Sequence, residues 1–381
     1  MSVMIATATL DDVDDLLKLY FLVYGNSYPI RLGTDRQLMS ATIAGGNDIW
    51  MIARDRERNI VAGSAVVEVD RPQKIGKLVG VVVHPEYRKN NVATGMIAEA
   101  VEKLLGGESP LNSIYTTTRT NSLGPQLMCL RTGFIPLGIF PNAHKLKHYE
   151  TVTLMARYSP GVLQRRHPVP IVSEKLLPLL HAMNANIGSG FVPEAMRAEK
   201  TAGTGKELEF EIIEAEHFIM RRFRETVLDS STYFYPFHLP NALFTSLDGT
   251  VEIFAFLSRA DRYCTLISTN VPFYKLADGV TDFLDALKDH GAEYIETLLP
   301  LSDRANIAAL LYDDFIPSAI YPAMREVDGI MHDYLAMSRT MDPLNFRGMQ
   351  IAGPFKPYLD QYVALWKRIH LDTLEVFNEF R

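Results

Sequence analysis

Cysteine is nearly missing from this chain, with Cys129 and Cys264 the only two in 381 residues. Two thiols so far apart exclude a disulfide-stapled scaffold and a cysteine-rich metal site. Histidine offers no substitute: only His144 and His148 stand four apart, between two expected strands and with no third ligand in view, so no metal is expected. Long apolar runs are missing too. No segment approaches the roughly 20 uninterrupted apolar residues of a membrane span, so no membrane partner is expected. Positive charge is not in excess: 38 Lys and Arg face 45 Asp and Glu, a formal charge of −7. That balance argues against nucleic acid as the main partner, and the short clusters Arg165-Arg166-His167 and Arg221-Arg222 with Arg224 read as solvated faces. The first fifteen residues carry acidic side chains and no basic, apolar leader, so a cytoplasmic location is expected.

What is present suits buried cores. Hydrophobic residues make up 47% and charged residues 22%, the balance of an ordinary globular protein, and the length suggests about two domains.

One stretch carries chemistry. Val81, Val82 and Val83 read as a buried strand that Pro85 stops, and residues 93–105 place Met96, Ile97, Ala100, Val101 and Leu104 at helical spacing. Between them run Arg88, Lys89, Asn90, Asn91, Val92, Ala93 and Thr94. A loop entering a helix presents amide N–H groups without partners, and these bind phosphate oxygens together with the positive end of the helix dipole. Arg88 adds charge beside them. The segment resembles the acetyl-CoA-binding motif of the GNAT N-acetyltransferase superfamily, whose pattern is Arg or Gln, two residues, Gly, one residue, then Gly or Ala. Here Arg88 and Ala93 fit, while Asn91 stands at the first glycine. Asn is the non-glycine residue that best tolerates left-handed backbone, so the cradle geometry is still expected.

A second feature of that family occurs twice. Gly133-Phe134-Ile135-Pro136-Leu137-Gly138-Ile139-Phe140-Pro141 returns as Asp314-Phe315-Ile316-Pro317-Ser318-Ala319-Ile320-Tyr321-Pro322, a shift of 315 − 134 = 181 residues. Each copy follows a helical stretch, 123–131 or 304–313, and precedes a strand-like run, 152–157 or 333–339. The resemblance therefore implies two GNAT-like domains in tandem, of mixed α/β class with a mixed α+β sheet.

The expected layout is a GNAT-like, acetyl-CoA-binding domain at 1–158 and a linker with one helix at 159–206. A degenerate GNAT-like domain at 207–340 and a helical tail at 341–381 follow. In the first domain the order is strand, two helices, three strands, helix, strand, helix, two strands. In the second, the connection from Thr269 to Gly279 has neither the arginine nor the glycine spacing, so this copy is expected to lack the acetyl-CoA motif. Ala202-Gly203-Thr204-Gly205-Lys206 reads as a flexible joint. Exposed strand edges and the aromatic tail leave a homodimer open.

Acetyl transfer to an amine needs a neutral amine, a positioned thioester carbonyl and a proton for the departing thiolate. The resemblance gives strand amides of Val81 and Val83 the pantetheine arm and the carbonyl. It also puts a proton-donating tyrosine five residues before Phe134, where this chain has Cys129, either a thiol donor or a small buried side chain. Tyr115, or a water, is the alternative donor. Glu68, with Asp70 beside it, is the candidate general base. Ser122 or Asn121 falls where the family contacts cofactor, and Tyr24, Asn26 and Tyr28 lie in the loop that walls the acceptor site. The resemblance thus implies an N-acetyltransferase with acetyl-CoA as cosubstrate and a small-molecule or peptide amine as acceptor. The departures at Asn91 and Cys129 suggest an alternative, a non-catalytic acyl-CoA sensor or scaffold.

Overall fold

Alternating and continuous apolar runs in the first third of the chain become strands, and the 3.6-period runs become helices, in the expected order. The structure, a computed structural model, describes residues 3–25, 31–107, 110–145, 148–197, 208–228, 233–276 and 279–371. The elements begin with β1 (Val3–Thr7), α1 (Val13–Tyr24), α2 (Arg36–Gly45), β2 (Ile49–Asp55), β3 (Ile60–Asp70) and β4 (Ile75–Val83). They continue with α3 (Val92–Leu105), β5 (Ser113–Arg119), α4 (Gly124–Arg131), β6 (Ile135–Lys145) and β7 (Tyr149–Tyr158). Next come β8 (Ile171–Ser173), α5 (Leu177–Ile187), β9 (Glu194–Met196), β10 (Phe210–Ile213), α6 (Glu216–Thr226) and β11 (Ala242–Ser246). The chain then forms β12 (Glu252–Ser258), β13 (Tyr263–Thr269), α7 (Phe273–Leu276), α8 (Gly279–Asp289) and β14 (Tyr294–Pro300). Last are α9 (Arg304–Tyr312), β15 (Ile316–Val327), β16 (Ile330–Thr340) and α10 (Lys356–His370). Among the described residues no helix is long and apolar enough to cross a membrane.

The chain divides into two compact units. The first holds residues 1–116, 127–135 and 155–162; the second holds 117–126, 136–154 and 163–381. The expected boundaries at 158 and 206 follow the sequence repeat, and hydrogen bonds within the second unit show which distant segments are tied together. Asn142 donates to the Pro343 carbonyl and accepts from the Asn345 amide. Gln126 donates to the Gln350 carbonyl and accepts from the Ala352 amide. These contacts draw two segments of the expected first domain into the second unit. The expected tail is also no appendage: Tyr358 and Tyr362 of α10 are buried, the first donating to the Pro136 carbonyl at 2.8 Å, the second sharing a 3.1 Å hydrogen bond with Ser338. The linker segment 202–206 and residues 372–381 lie outside the described residues.

In the first unit the sheet runs β1-β2-β3-β4-β5. Trp50 stands opposite Val66 and Ile52 opposite Ser64, on the face covered by Leu16, Leu19 and Tyr20 of α1 and Met39 of α2. The other face carries Gly63, where an added Cβ would lie 2.7 Å from Met96 of α3. Helix starts are local: Thr9 and Asp12 bond each other ahead of α1, at 2.8 Å through the Thr9 amide, and Asp35 caps α2 through the amides of Gln37 and Leu38.

The second unit runs β7-β6-β15-β16-β14-β13-β12-β11-β10. The sequence repeat appears in the backbone of the chain: Gly133 and Asp314, 181 residues apart, have φ of 81° and 60°, and Asn142 and Ala323, again 181 apart, have φ of 59° and 49°. Parallel pairing also repeats, over three positions from Ile75–Ser113 to Lys77–Tyr115 and three from Tyr263–Tyr294 to Thr265–Glu296. Between β13 and α8 the one-turn α7 stands where the cradle would be, and the motif is missing from that connection.

Candidate cofactor and active site

The candidate site grows from the far end of β4. Pairing with β3 matches Ser64 to Val82 and Val66 to Val79, so Gly80 and Val81 together face the single residue Ala65. Gly80 takes φ of 61° at this bulge, a conformation that suits a residue without Cβ. The His84 amide donates to the Ala62 carbonyl at 2.9 Å. Antiparallel alternation then directs the Val82 amide toward β3 and that of Val83 away from it, while the Val81 amide is set by the bulge. Val82 itself is a core side chain, so the expectation that it contacts cofactor is corrected to its neighbours.

Beyond β4 the turn Pro85–Tyr87 is pinned. Tyr87 is fully buried and donates to Asp55 at 2.7 Å. That hydrogen bond holds the Asp55 carboxyl below its usual range, while burial and Asp55 push Tyr87 up. Arg58 lies over the Tyr87 ring at 5.9 Å and pairs with Glu86 at 2.8 Å. Past this anchor Arg88, Lys89, Asn90 and Asn91 are exposed. Lys89 and Asn91 both adopt left-handed backbone, with φ of 68° and 57°. The Asn91 carbonyl accepts the first α3 hydrogen bond, from Gly95 at 2.9 Å, and the Asn91 side chain makes no cap. The amides of Val92, Ala93 and Thr94 thus have no intrahelical acceptor, beside Arg88 and Lys89. These residues fit an anion.

Three reactive side chains stand in one row across the sheet. Glu68 pairs with Lys77, and Lys77 with Tyr115, on the α1 face of the sheet. Parallel pairing of β4 with β5 ends at this row. Burial raises the Glu68 carboxyl above its usual value, Lys77 opposing and Asp48 adding to the shift. Tyr115 is buried. Asp70 instead caps the turn amide of Gln73 at 3.0 Å.

The remaining expected residues separate from this group. Cys129 is 1% exposed, and burial pushes its thiol up to about 12. Its carbonyl takes the amides of Thr132 and Phe134 at the end of α4, and its burial suits a packing residue. Ser122 is exposed in the second unit, its carbonyl accepting from Gln126. Tyr24 ends α1, 39% exposed. Asn26 and Tyr28 lie outside the described residues. Sequence reasoning missed Tyr20, Tyr87 with Asp55, the left-handed Lys89 and the place of Lys77 in the row; the glycine inside an apolar strand was the available signal for the bulge. Among the described residues no group of three or more His, Cys, Asp and Glu side chains is placed to hold a metal ion.

The model of the acetyltransferase (GNAT) family matches residues 10–134, which span this whole arrangement. These residues are a GNAT acetyltransferase domain. No curated protein sequence matches the chain. Among solved structures, an acetyltransferase of the GNAT family from Streptococcus pneumoniae is 18% identical, covering 42% of this chain and 99% of its own, with a TM-score of 0.37. A GNAT superfamily phosphinothricin acetyltransferase from Sinorhizobium meliloti, solved with AcCoA, is 17% identical over 42% of this chain and 90% of its own, TM-score 0.37. A ribosomal-protein-alanine N-acetyltransferase from Brucella melitensis is 18% identical over 41% and 99%, TM-score 0.35. The family match supports acyl-CoA-dependent acetyl transfer in general terms.

Proposed function

We propose that this protein is an acetyl-CoA-dependent N-acetyltransferase acting on a small-molecule or peptide amine by direct attack in a ternary complex. The observation that carries this reading is the uncapped start of α3, entered through left-handed Asn91 from the bulged β4. The amides of Val92, Ala93 and Thr94 with Arg88 and Lys89 hold the pyrophosphate, and those of Val81 and Val83 hold the pantetheine arm and the thioester carbonyl. Glu68 takes a proton from the amine, whose nitrogen forms the new N–C bond. As the C–S bond breaks, Tyr115 returns a proton to sulfur. Tyr24 walls the acceptor side.

The second unit is a degenerate copy of the same fold that shares the repeat and lacks the cradle. A screen of amines, reading free thiol release from acetyl-CoA, tests the whole assignment. Turnover that disappears in Glu68→Gln is the expected result; acetyl-CoA binding without turnover on any amine would favour a non-catalytic sensor.

A further inference from the structure

Tyr20 lies on α1, 1% exposed, with its hydroxyl beneath the β4 bulge. Its hydroxyl donates to the Gly80 carbonyl at 2.8 Å and lies 3.1 Å from the Ser64 hydroxyl. Trp50 donates its indole N–H to that same Ser64 oxygen at 2.8 Å. Because the Tyr20 proton goes to Gly80, the Ser64 proton must go to Tyr20. The four groups form one directed chain, Trp50 to Ser64 to Tyr20 to the Gly80 carbonyl.

A trans peptide places its N–H opposite its C=O, and no cis bond occurs among the described residues. Tyr20 draws the Gly80 carbonyl toward the α1 face, so the Val81 N–H of the same peptide is aimed at the α3 face. That is the face on which the cradle residues at the start of α3 lie: Gly63, with Val92 and Met96 against it, has the opposite parity to Ser64. The bulge on β13 in the second unit is held differently. Ile267, left without a strand partner between Leu266 and Ser268, accepts from the backbone amide of Phe234 at 2.8 Å. A side-chain hydroxyl does this work in the unit with the cradle.

We infer that Tyr20 is a positioning residue for acetyl transfer, fixing the Gly80–Val81 peptide so that the Val81 amide polarises the thioester carbonyl. The inference rests on the proposed use of acetyl-CoA and adds a residue that touches neither cosubstrate nor acceptor. Geometry of this kind matters because an amide already aimed at developing negative charge needs no reorganisation during the reaction.

The test is isotope-edited infrared spectroscopy of acetyl-CoA labelled with 13C at the carbonyl, bound to three folded proteins. Wild type is expected to lower the carbonyl stretching frequency relative to free acetyl-CoA. Tyr20→Phe is expected to lose most of that lowering while keeping its affinity within about threefold. Ser64→Ala, which leaves the Tyr20-to-Gly80 bond in place, is expected to match wild type. An unchanged frequency in Tyr20→Phe, or equal losses in both variants, would overturn the assignment. Should Tyr20→Phe not fold, wild type alone answers: the Val81 amide proton resonance moves downfield on adding acetyl-CoA and not on adding CoA, and equal response to the two would contradict the aim of that amide. Failure of wild type to bind acetyl-CoA at all is a different outcome and would retire the cosubstrate reading together with the role of Tyr20.

Discussion

Gly138 of β6 and Ala319 of β15 stand opposite each other in an antiparallel pair, and they are the same position of the repeat, 319 − 138 = 181 residues apart. Pairing of equivalent positions is the mark of a two-fold relation between the two strands. The approach is close: a Cβ on Gly138 would lie 2.2 Å from the Ala319 Cβ and 2.4 Å from the Ser318 carbonyl oxygen. Gly138→Ala is therefore expected to destabilise the protein by about 1–3 kcal/mol through overpacking, and Gly138→Val by more. Chemical unfolding of the two variants measures it; a Gly138→Ala protein as stable as wild type would contradict the packing at this pair.

Asn91 sets the entry to the cradle through its backbone, not its side chain. With φ of 57° it occupies the region where Gly is at ease, Asn tolerated and a β-branched residue strained. Asn91→Gly is expected to keep acetyl-CoA affinity and fold. Asn91→Val is expected to cost about 1–2 kcal/mol and to weaken acetyl-CoA. Paired titrations and melts of both variants check this, and a Val variant equal to the Gly variant would show that the left-handed turn is unnecessary.

Glu68 gives a pH prediction with opposite signs for stability and rate. Its folded pKa lies above the ordinary 4.5 because burial disfavours its charge. The native state therefore holds that proton more tightly than the unfolded chain. Stability from this group is present below about pH 4.5 and lost as pH rises through the folded value. Glu68→Gln is thus expected to be no less stable than wild type at neutral pH, while acetyl transfer falls by about 100-fold or more and the acid limb of its pH–rate profile disappears. A variant that retains wild-type turnover would assign the base elsewhere.

The two thiols are expected to be silent. Cys129 and Cys264 are both buried, and burial raises both, the carboxylate of Glu296 adding to the rise at Cys264. Since the thiolate is the reactive form, iodoacetamide at neutral pH should label neither in the folded protein and both after unfolding, as read by mass spectrometry. Cys129→Ala should keep acetyl transfer; its loss in a folded variant would restore the thiol as the proton donor.

Much of the fold was legible because it is local. The run at Val81–Val83 and the helical spacing of Met96, Ile97, Ala100, Val101 and Leu104 each fix an element through near neighbours. The repeat was legible because left-handed turns at Gly133 and Asp314 sit in matching sequence. What escaped depends on partners distant in the chain. Asn142 is an unremarked residue until Pro343 and Asn345 meet it, and that meeting ties β6 to the segment after β16. Lys77 reads as one strand residue among others until the registers of β3 and β5 set it between Glu68 and Tyr115. At Cys129 two readings of one residue were open, and its burial, invisible in the sequence, favours packing. The chemistry at Arg88 and Asn91 was legible because a helix start exposes its amides whatever the rest of the chain does.

The central claim is that the loop from Arg88 to the first turn of α3 binds acetyl-CoA. Calorimetric titration of the purified protein with acetyl-CoA, beside Arg88→Ala shown to be folded by circular dichroism, tests it most directly. The account predicts one-to-one binding by wild type that the variant weakens about tenfold, the loss of one charge-assisted contact to phosphate. No binding by wild type, or equal affinity in the two proteins, would contradict it.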